Sequence, residues 1–250
     1  AVLCMILSVL SLLLLSLLFS YEDFKGQEFA FVPENFRKIS IVLGIIYGLI
    51  AISFINFSKV VPGANDNLSG SVTAVEVLKW FSNHPIEIQN TEIGCLITGS
   101  EEAGLRGAMA FVQQHKDELK ALPTVVIAID TLGDFTELGI IVRDLNGLLP
   151  HHQGAISLLY QGGLDTGINL KPVTVFLGSS DATAFTRAGI PASALVAMDP
   201  SPAHYYHTRY DTVESMNEET ISAGLTILIQ TTKNYDTYGL PEKGPIPVSQ

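Results

Sequence analysis

Positive charge is scarce in this sequence. Its 250 residues include 14 lysines and arginines against 25 aspartates and glutamates, a formal net charge of −11, and no basic cluster or stripe occurs. Because proteins that bind nucleic acids neutralise phosphates with such clusters, this composition excludes a nucleic-acid partner. Cysteine is scarcer still, with only Cys4 and Cys95. They do not have the spacing of a cysteine metal site, and nothing in the pattern supports a bridge between them.

Two long stretches lack charge altogether. Residues 1–20 and residues 39–58 contain no aspartate, glutamate, lysine or arginine. At about 1.5 Å rise per residue, each is long enough to cross a hydrocarbon core of about 30 Å. The first run lacks the initiating methionine, the basic start and the cleavage site of a signal peptide. Helices buried in the core of a soluble protein are the other alternative for the two runs. We predict a transmembrane helical hairpin over residues 1–59, with helices at about 1–20 and 39–58, and a second domain over residues 60–250.

The second domain has the pattern of an α/β protein. Residues 124–130 (TVVIAID) form a continuous apolar run, which is typical of a strand in a sheet covered on both faces. Residues 69–83 predict a helix. One face of this helix carries Val72, Val75, Leu78 and Val77. Further strands are predicted at 92–98, 139–145, 173–178 and 192–198, and further helices at 105–115, 181–188 and 218–235. The alternation predicts a mostly parallel or mixed sheet with helices on both faces, in addition to the N-terminal pair of transmembrane helices.

Acidic residues stand where this fold would place a ligand site. Asp66 lies in the glycine-flanked loop PGANDNLSG, Glu101 and Glu102 follow a predicted strand, and Asp130 closes another. Ligand sites of open α/β sheets lie at the carboxyl ends of the strands, so we expect the four carboxylates to converge. A lone aspartate in such a loop is more often a helix cap. An uncompensated acidic cluster is costly, however, and a polyvalent cation would remove that cost.

A segment near the C-terminus offers a nitrogen ligand. His207 lies in HYYHTRYDT, residues 204–212, and neutral imidazole and carboxylates are usual ligands of zinc. In this interpretation Asp211 contacts His207 and orients it without binding the metal itself, and His204 is a surface histidine. A serine nucleophile is disfavoured, because LGSSDA and NLSGS both lack the Gly-x-Ser-x-Gly elbow.

Five motifs occur together in a fixed order: GANDNLSG, GSEEAGLRGA, AIDTLG, SSDATAFTRAGIP and YYHTRYDT. In order and spacing they resemble the two-zinc aminopeptidase family. That family includes secreted bacterial leucine aminopeptidases and glutamate carboxypeptidase, and also non-peptidase relatives such as transferrin receptor. The resemblance covers about residues 60–236. Each motif alone is a weak signal, and their combination is a specific one.

The resemblance implies a role for each matching residue. Asp66 would bridge two zinc ions. Glu102 and His207 would complete the protein ligands of one ion, and Asp130 would bind the other. Glu101 would be the general base, which takes a proton from the attacking water and delivers it to the leaving amine.

Two positions depart from the family pattern. Ala182 stands where the family has a histidine after the Ser-Asp pair, which affects packing or substrate contacts rather than zinc. The family's first histidine ligand, on a strand upstream of the Asp66 loop, has no counterpart, because no histidine precedes His84. We expect that histidine to lie upstream of Ala1, with the hairpin as an insertion. Otherwise the protein is natively incomplete and inactive.

The implied function is that of a zinc-dependent exopeptidase, more specifically an aminopeptidase acting on peptide substrates. Tyr206 matches a tyrosine that hydrogen-bonds the developing oxyanion in some members, and a packed aromatic side chain is the alternative for it. A catalytically inactive receptor or binding homologue is the second hypothesis. A glutaminyl-cyclase-like acyl transferase on the same scaffold is the third.

The charges that flank the apolar runs predict an orientation in the lipid bilayer. The linker between the runs carries Lys25, Arg37 and Lys38, whereas the nearest bases beyond the second run are Lys59 and Lys79. Cytoplasmic flanks tend to be richer in lysine and arginine. We therefore expect an integral membrane protein whose peptidase domain is extracytoplasmic.

Overall fold

The computed structural model describes residues 60–145, 147–175, 178–199, 204–242 and 244–245. Val61–Gln250 forms one compact unit. The predicted membrane hairpin, residues 1–59, lies outside the described residues and stays a prediction. Among the helices that the structure does describe, none has the length and apolarity needed to cross a bilayer.

The described chain contains five α-helices and five β-strands. The helices are α1 (Gly70–Asn83), α2 (Arg106–Ala121), α3 (Gln153–Asp165), α4 (Ala182–Arg187) and α5 (Glu218–Tyr238). The strands are β1 (Val126–Leu132), β2 (Leu138–Asp144), β3 (Leu149–Pro150), β4 (Lys171–Thr174) and β5 (Ala192–Ala197). Short helical turns occur at Ala64–Ser69, Pro85–Glu87, Phe135–Glu137 and Val213–Ser215.

The strands form one mixed sheet in the order β1-β5-β2-β3, and β4 also pairs with β2. Strand β1 runs parallel to β5, and β4 runs parallel to β2. Strand β2 is antiparallel to β5 and to β3. Within the described residues β1 therefore has a strand on one side only. This confirms the mixed sheet, and it puts the carboxyl end of β1 at an edge.

Apolar side chains cover both faces of the sheet. On one face, α1, α3 and α5 contribute residues such as Phe81, Leu159 and Ile227 to the core. On the other face, α2 and α4 contribute residues such as Val112 and Phe185. Alternate residues of each strand point to opposite faces, so one strand serves both layers. The predicted arrangement of helices on both faces of the sheet is thereby confirmed.

The face of α1 that we predicted to be apolar does not face the core. Val72, Val75 and Leu78 are 44%, 47% and 39% exposed, and of the predicted set only Val77 is buried. The buried positions of the helix are Gly70, Thr73, Val77 and Phe81. Gly70 brings the start of the helix close against the edge of β1, where a Cβ atom would lie 2.5 Å from the Ile129 carbonyl oxygen.

The strand predicted at residues 92–98 is wrong. These residues form no strand, and Leu96 and Ile97 are 42% and 54% exposed. The residues of this segment are typical of a strand. A strand, however, needs a neighbouring strand to hydrogen-bond with its backbone groups. In the described part of the chain this segment pairs with no strand, so the predicted strand does not form there.

Helix α3 was not predicted from the sequence. Three glycines interrupt its apolar pattern, and they are needed for close packing. A Cβ atom at Gly162 would lie 2.1 Å from Thr231 Oγ1 of α5, and one at Gly163 would lie 2.8 Å from the Ile168 carbonyl oxygen. The contact between α3 and α5 therefore depends on residues that usually weaken a helix.

The remaining predicted elements are found with shifted ends. Strands β1, β2 and β5 and helices α1, α4 and α5 lie within a few residues of their predicted bounds. Helix α2 extends six residues beyond the predicted end, to Ala121. Strand β4 is displaced towards the N-terminus and ends at Thr174.

Candidate metal centre

Three predicted ligands meet at the carboxyl edge of the sheet. His207 Nε2 lies 3.3 Å from Asp66 Oδ2 and 3.1 Å from Glu102 Oε1. Ligand atoms of the three residues all lie within 4.8 Å of one another. The side chain of Asp66 is mostly buried, whereas His207 and Glu102 are 50% and 64% exposed. The set is therefore closed on the side of Asp66 and open to solvent on the side of His207 and Glu102.

Asp66 reaches the site from the turn Ala64–Ser69, which leads into α1. Gly63, just before the turn, has a φ of 68°, and a Cβ atom there would lie 2.8 Å from the Asp66 carbonyl oxygen. Only glycine accepts this backbone conformation and this close approach without strain. The glycine ahead of Asp66 is therefore required by the shape of the turn.

Asp211 holds the Asp66 turn, and its predicted role in orienting His207 stays a prediction. Its carboxylate accepts hydrogen bonds from the backbone N–H groups of Asn65 (2.7 Å) and Asp66 (2.9 Å). It also accepts one from Asn65 Nδ2 at 3.1 Å. Asp211 is 1% exposed. Because His207 is four residues away on the same segment, Asp211 ties the histidine ligand to the aspartate ligand through the backbone.

Glu101 and Glu102 lie in a tight turn before α2. The backbone N–H groups of Gly104 and Leu105 both donate to the Glu101 carbonyl oxygen at 2.8 Å. Ser100 and Leu105 have φ values of 57°, a left-handed conformation that is uncommon outside glycine. The turn fixes the backbone of the pair, so the two side chains can take different roles.

Asp130 ends up beside the three-residue set but outside it. It lies near the end of β1, where its Oδ1 accepts a hydrogen bond from Thr131 Oγ1 at 2.9 Å. Thr131 has a φ of 46°. Asp130 is the charged neighbour that most raises the pKa values of Asp66 and Glu101, which shows that the predicted carboxylates do converge.

The pKa values of two carboxyl groups in the site are strongly raised. Burial, followed by repulsion from Asp130 and Glu102, raises the pKa of Asp66 from 3.8 to about 7. Burial and the same two neighbours raise the pKa of Glu101 from 4.5 to about 8. Every charged neighbour that shifts these two groups is itself an acid. The site therefore has an excess of negative charge that a cation would neutralise.

The residues present fit one zinc ion. Two carboxylate oxygens and one imidazole nitrogen are a ligand set that zinc accepts, and the open side leaves room for water or substrate. For a second ion, the described residues offer Asp66 and Asp130 but no third ligand beside them. The two-ion site implied by the resemblance therefore stays a prediction.

Tyr206 lies over the histidine of the site. Its ring stacks on the His207 ring with centroids 3.9 Å apart and planes at 21°. Burial raises the pKa of the Tyr206 hydroxyl, and repulsion from Asp66 and Asp130 adds to the effect. The hydroxyl therefore stays protonated and available as a hydrogen-bond donor.

The other histidines and Ala182 lie outside the set. His84 ends α1 and stacks on Trp80 at 4.3 Å, and His204 is exposed beside Tyr205. Ala182 is completely buried in the α2–α4 layer. The residue that replaces the family's histidine therefore packs in the core.

A polar network behind the site was missed from the sequence. The buried carboxylate of Asp144, at the end of β2, contacts His151 Nε2 at 3.1 Å and accepts hydrogen bonds from Ser180 and Thr183. Burial opposes the charged form, but these hydrogen bonds outweigh it and lower the pKa of Asp144. The network fixes the segment that carries Asp181. The carboxylate of Asp181, which lies near Glu101, accepts a hydrogen bond from Thr98. The sequence did contain a signal for this residue, because Asp144 is an acid near the end of a predicted strand.

The fold and the site define a class: an α/β protein with a metal-type ligand set at the carboxyl edge of a mixed sheet. The sequence profile of peptidase family M28 matches residues 52–232. The chain belongs to this family. A search of curated proteins gave no match.

Solved structures with a similar fold include a zinc aminopeptidase and a glutaminyl cyclase. The Bacillus subtilis zinc aminopeptidase BSAP has a TM-score of 0.58 at 24% identity, over 70% of this chain and 42% of BSAP. LapB from Legionella pneumophila has a TM-score of 0.61 at 20% identity, over 72% of this chain and 48% of LapB. A glutaminyl cyclase from an Acidobacteriales bacterium has a TM-score of 0.53 at 19% identity, over 71% of this chain and 63% of the cyclase. At these identities the likeness shows the fold alone, and the chain spans less than half of the length of BSAP and of LapB.

The raised pKa values predict how the stability of the metal-free protein depends on pH. Because Asp66 and Glu101 hold protons more tightly when folded, their contribution to stability is present below about pH 4 and is lost as the pH rises through 7 and 8. We expect the unfolding temperature of the zinc-free protein to fall between pH 5 and pH 8. An Asp66→Asn, Glu101→Gln double variant should show a shallower fall in a thermal melt. An equally steep fall in that variant would contradict the assignment.

The ligand set predicts one tight zinc ion. We expect the full chain to bind one zinc ion well through Asp66, Glu102 and His207, and a second ion poorly. Metal analysis after dialysis against a weak chelator should find about one ion per chain, and His207→Ala should lower the zinc affinity by at least about tenfold. His84→Ala, which removes a histidine outside the set, is the control. No bound zinc, or two tightly bound ions, would contradict the prediction.

Proposed function

We propose that this protein is a zinc-dependent exopeptidase, more specifically an aminopeptidase that removes N-terminal residues from peptides. The observation that carries the proposal is the complete ligand set Asp66, Glu102 and His207 with a free carboxyl group, Glu101, directly beside it. Membership of peptidase family M28 supports hydrolysis of peptide bonds. A metallopeptidase needs a metal site and a proton carrier that does not bind the metal. Glu102 belongs to the candidate metal site, and Glu101 would be the proton carrier.

The ligand residues would hold the ion with one side open to a peptide. Asp66 and Glu102 would bind it through oxygen and His207 through Nε2. A zinc ion there supplies a Lewis acid, which polarises a carbonyl group and makes a water molecule more acidic. The excess of negative charge in the site favours the cation, and it also favours the positively charged amino terminus of a peptide substrate.

Glu101 would move the proton. Its pKa is raised by burial and neighbouring carboxylates to about 8 in the absence of metal, and a bound cation would lower it into a range where the group can both accept and release a proton. As general base it takes a proton from the attacking water, and it then donates that proton to the leaving amine. Tyr206, protonated and stacked on His207, would donate a hydrogen bond to the oxyanion.

A glutaminyl-cyclase-like acyl transfer is the second candidate. The described residues provide a complete ligand set for one ion only. In cyclisation the amine of the substrate itself is the nucleophile, so one ion that polarises the carbonyl is sufficient and no activated water is needed. An inactive binding homologue is the less favoured hypothesis, because Asp66, Glu101, Glu102 and His207 are all retained. Aminoacyl-anilide and N-terminal glutaminyl substrates distinguish the three.

We also propose that the protein is an integral membrane protein that contacts the lipid bilayer through residues 1–59, with its peptidase domain on the extracytoplasmic side. Two charge-free runs and the bases of the linker between them support this proposal. Peptides outside the cytoplasm would then be the substrates.

The two glutamates are expected to respond differently to the same substitution. Glu101→Gln should lower the turnover of an aminoacyl-anilide by about 10²–10⁴-fold, the usual cost of losing a general base, while the zinc content stays nearly unchanged. Glu102→Gln should lower the zinc content as well, because it removes a ligand. Zinc content and turnover are measured on the same preparations of the full protein.

The matched control for this pair is Glu118→Gln, the same substitution at an exposed position on α2. It should leave both quantities unchanged. Equal loss of zinc in Glu101→Gln and Glu102→Gln would refute the division of roles. Release of cyclised product from glutaminyl peptides, without hydrolysis of anilides, would favour the second candidate.

The orientation in the membrane can be tested with single cysteines. Two variants are made from a protein in which Cys4 and Cys95 are replaced by serine. One variant carries a single cysteine at Gln27 in the linker, and the other carries a single cysteine at Thr237, which is exposed on α5. In intact cells a membrane-impermeant thiol reagent should label the Thr237→Cys protein and not the Gln27→Cys protein, and both should react after permeabilisation. The reverse labelling pattern would show that the orientation is wrong.

A further inference from the structure

The amide side chain of Asn67 occupies the open edge of β1. Its Nδ2 donates to the Ile129 carbonyl oxygen at 2.8 Å, and its Oδ1 accepts from the Thr131 backbone N–H at 3.2 Å. These two backbone groups flank Asp130. A neighbouring parallel strand bonds to an edge in the same way, through the carbonyl of one residue and the N–H of the second residue after it. Asn67 therefore pairs with β1 as a single residue of a strand would.

A third hydrogen bond connects Asn67 to the start of α1. Its Oδ1 also accepts from the Gly70 backbone N–H at 3.0 Å. A Cβ atom at Gly70 would lie 2.4 Å from Asn67 Oδ1 and 2.5 Å from the Ile129 carbonyl oxygen. The absence of a side chain at Gly70 is therefore what lets the turn and the helix approach the strand this closely. Ser69 adds a further link, because the Leu132 backbone N–H donates to its Oγ at 3.0 Å.

The position of Asn67 in the sequence gives these contacts their importance. It directly follows Asp66, and the two groups that it binds directly precede and follow Asp130. Asp211 holds the same turn from the opposite side, through the backbone N–H groups of Asn65 and Asp66. The turn is thus held between β1 and the His207 segment. Of these links, the Asn67 side chain is the one that connects the residue after Asp66 to the residues on either side of Asp130.

We propose that Asn67 is a positioning residue that holds Asp66 against the end of β1 and so fixes the arrangement of Asp66 with Asp130 in the metal centre. The inference rests on the proposed function in so far as Asp66 is taken as a metal ligand. Asn67 acts through the backbone and does not itself bind the metal. Changes in the hydrogen-bonding partners of metal ligands typically cost about 10–100-fold in metal affinity.

The test compares two variants, each of which loses a buried hydrogen bond in the same region. Asn67→Ala removes the contact with β1. Thr73→Val is the matched structural control: Thr73 is 1% exposed and donates to the Ser69 carbonyl oxygen at 2.8 Å, a hydrogen bond at the start of α1 in which no group of β1 takes part. Both variants of the full chain are characterised by thermal melts, by zinc competition titration and by the visible absorption spectrum of the Co²⁺-loaded protein. The spectrum reports the geometry around the ion, which a general loss of stability does not change.

We expect Asn67→Ala to bind zinc about 10–100-fold more weakly than the wild type and to have an altered Co²⁺ spectrum. Thr73→Val should stay within about threefold of the wild type and keep its spectrum, even where its unfolding temperature falls as much. Gly70→Ala, which keeps Asn67 but leaves no room for its amide at β1, should act like Asn67→Ala. This variant also serves if Asn67→Ala does not fold.

Other outcomes would overturn the proposal. A wild-type affinity and spectrum in both Asn67→Ala and Gly70→Ala would show that the contact does not position Asp66. Equal losses in Asn67→Ala and Thr73→Val would show a structural role only. If the wild type binds neither zinc nor Co²⁺, the proposed function itself fails, and the positioning role fails with it.

Discussion

Repulsion between carboxylates governs the electrostatics of the candidate metal centre. Asp66, Glu101, Glu102 and Asp130 converge at one edge of the sheet, and every charged group that raises the pKa of Asp66 is itself an acid. Folding without a cation must therefore keep protons on groups that would lose them in water. A single cation bound by Asp66, Glu102 and His207 would remove most of that cost.

The protein holds these groups in place with backbone contacts rather than with opposite charges. Asp211 binds the N–H groups of the Asp66 turn, and Asn67 binds the backbone on either side of Asp130. Strain is concentrated in the same place. Four of the five described non-glycine residues with positive φ lie in segments of the site: Ser100, Leu105, Thr131 and His207, the fifth being Leu145. Such conformations persist only where the surrounding structure enforces them, which is typical of functional sites.

The sequence predicted elements well where a residue pattern acts locally, and poorly where packing decides. The apolar run of β1 and the long pattern of α5 were recognised close to their bounds. The strand at 92–98 was not formed, because a strand needs a partner. Helix α3 was missed because glycines interrupt its pattern, and one of them, Gly162, is required by contact with α5. The buried face of α1 was misassigned because it begins with Gly70 and Thr73, which carry no apolar signal.

The sequence by itself determined which residues could form the site, since zinc chemistry restricts the ligands to few residue types and the motifs place them at the ends of elements. Only the tertiary structure decided which of them meet. It brought Asp66, Glu102 and His207 into one set, left Asp130 beside it, and joined Asp211 to the backbone of the Asp66 turn. The reason is physical: residue type fixes what an atom can bind, whereas distances between segments more than a hundred residues apart depend on how the chain packs.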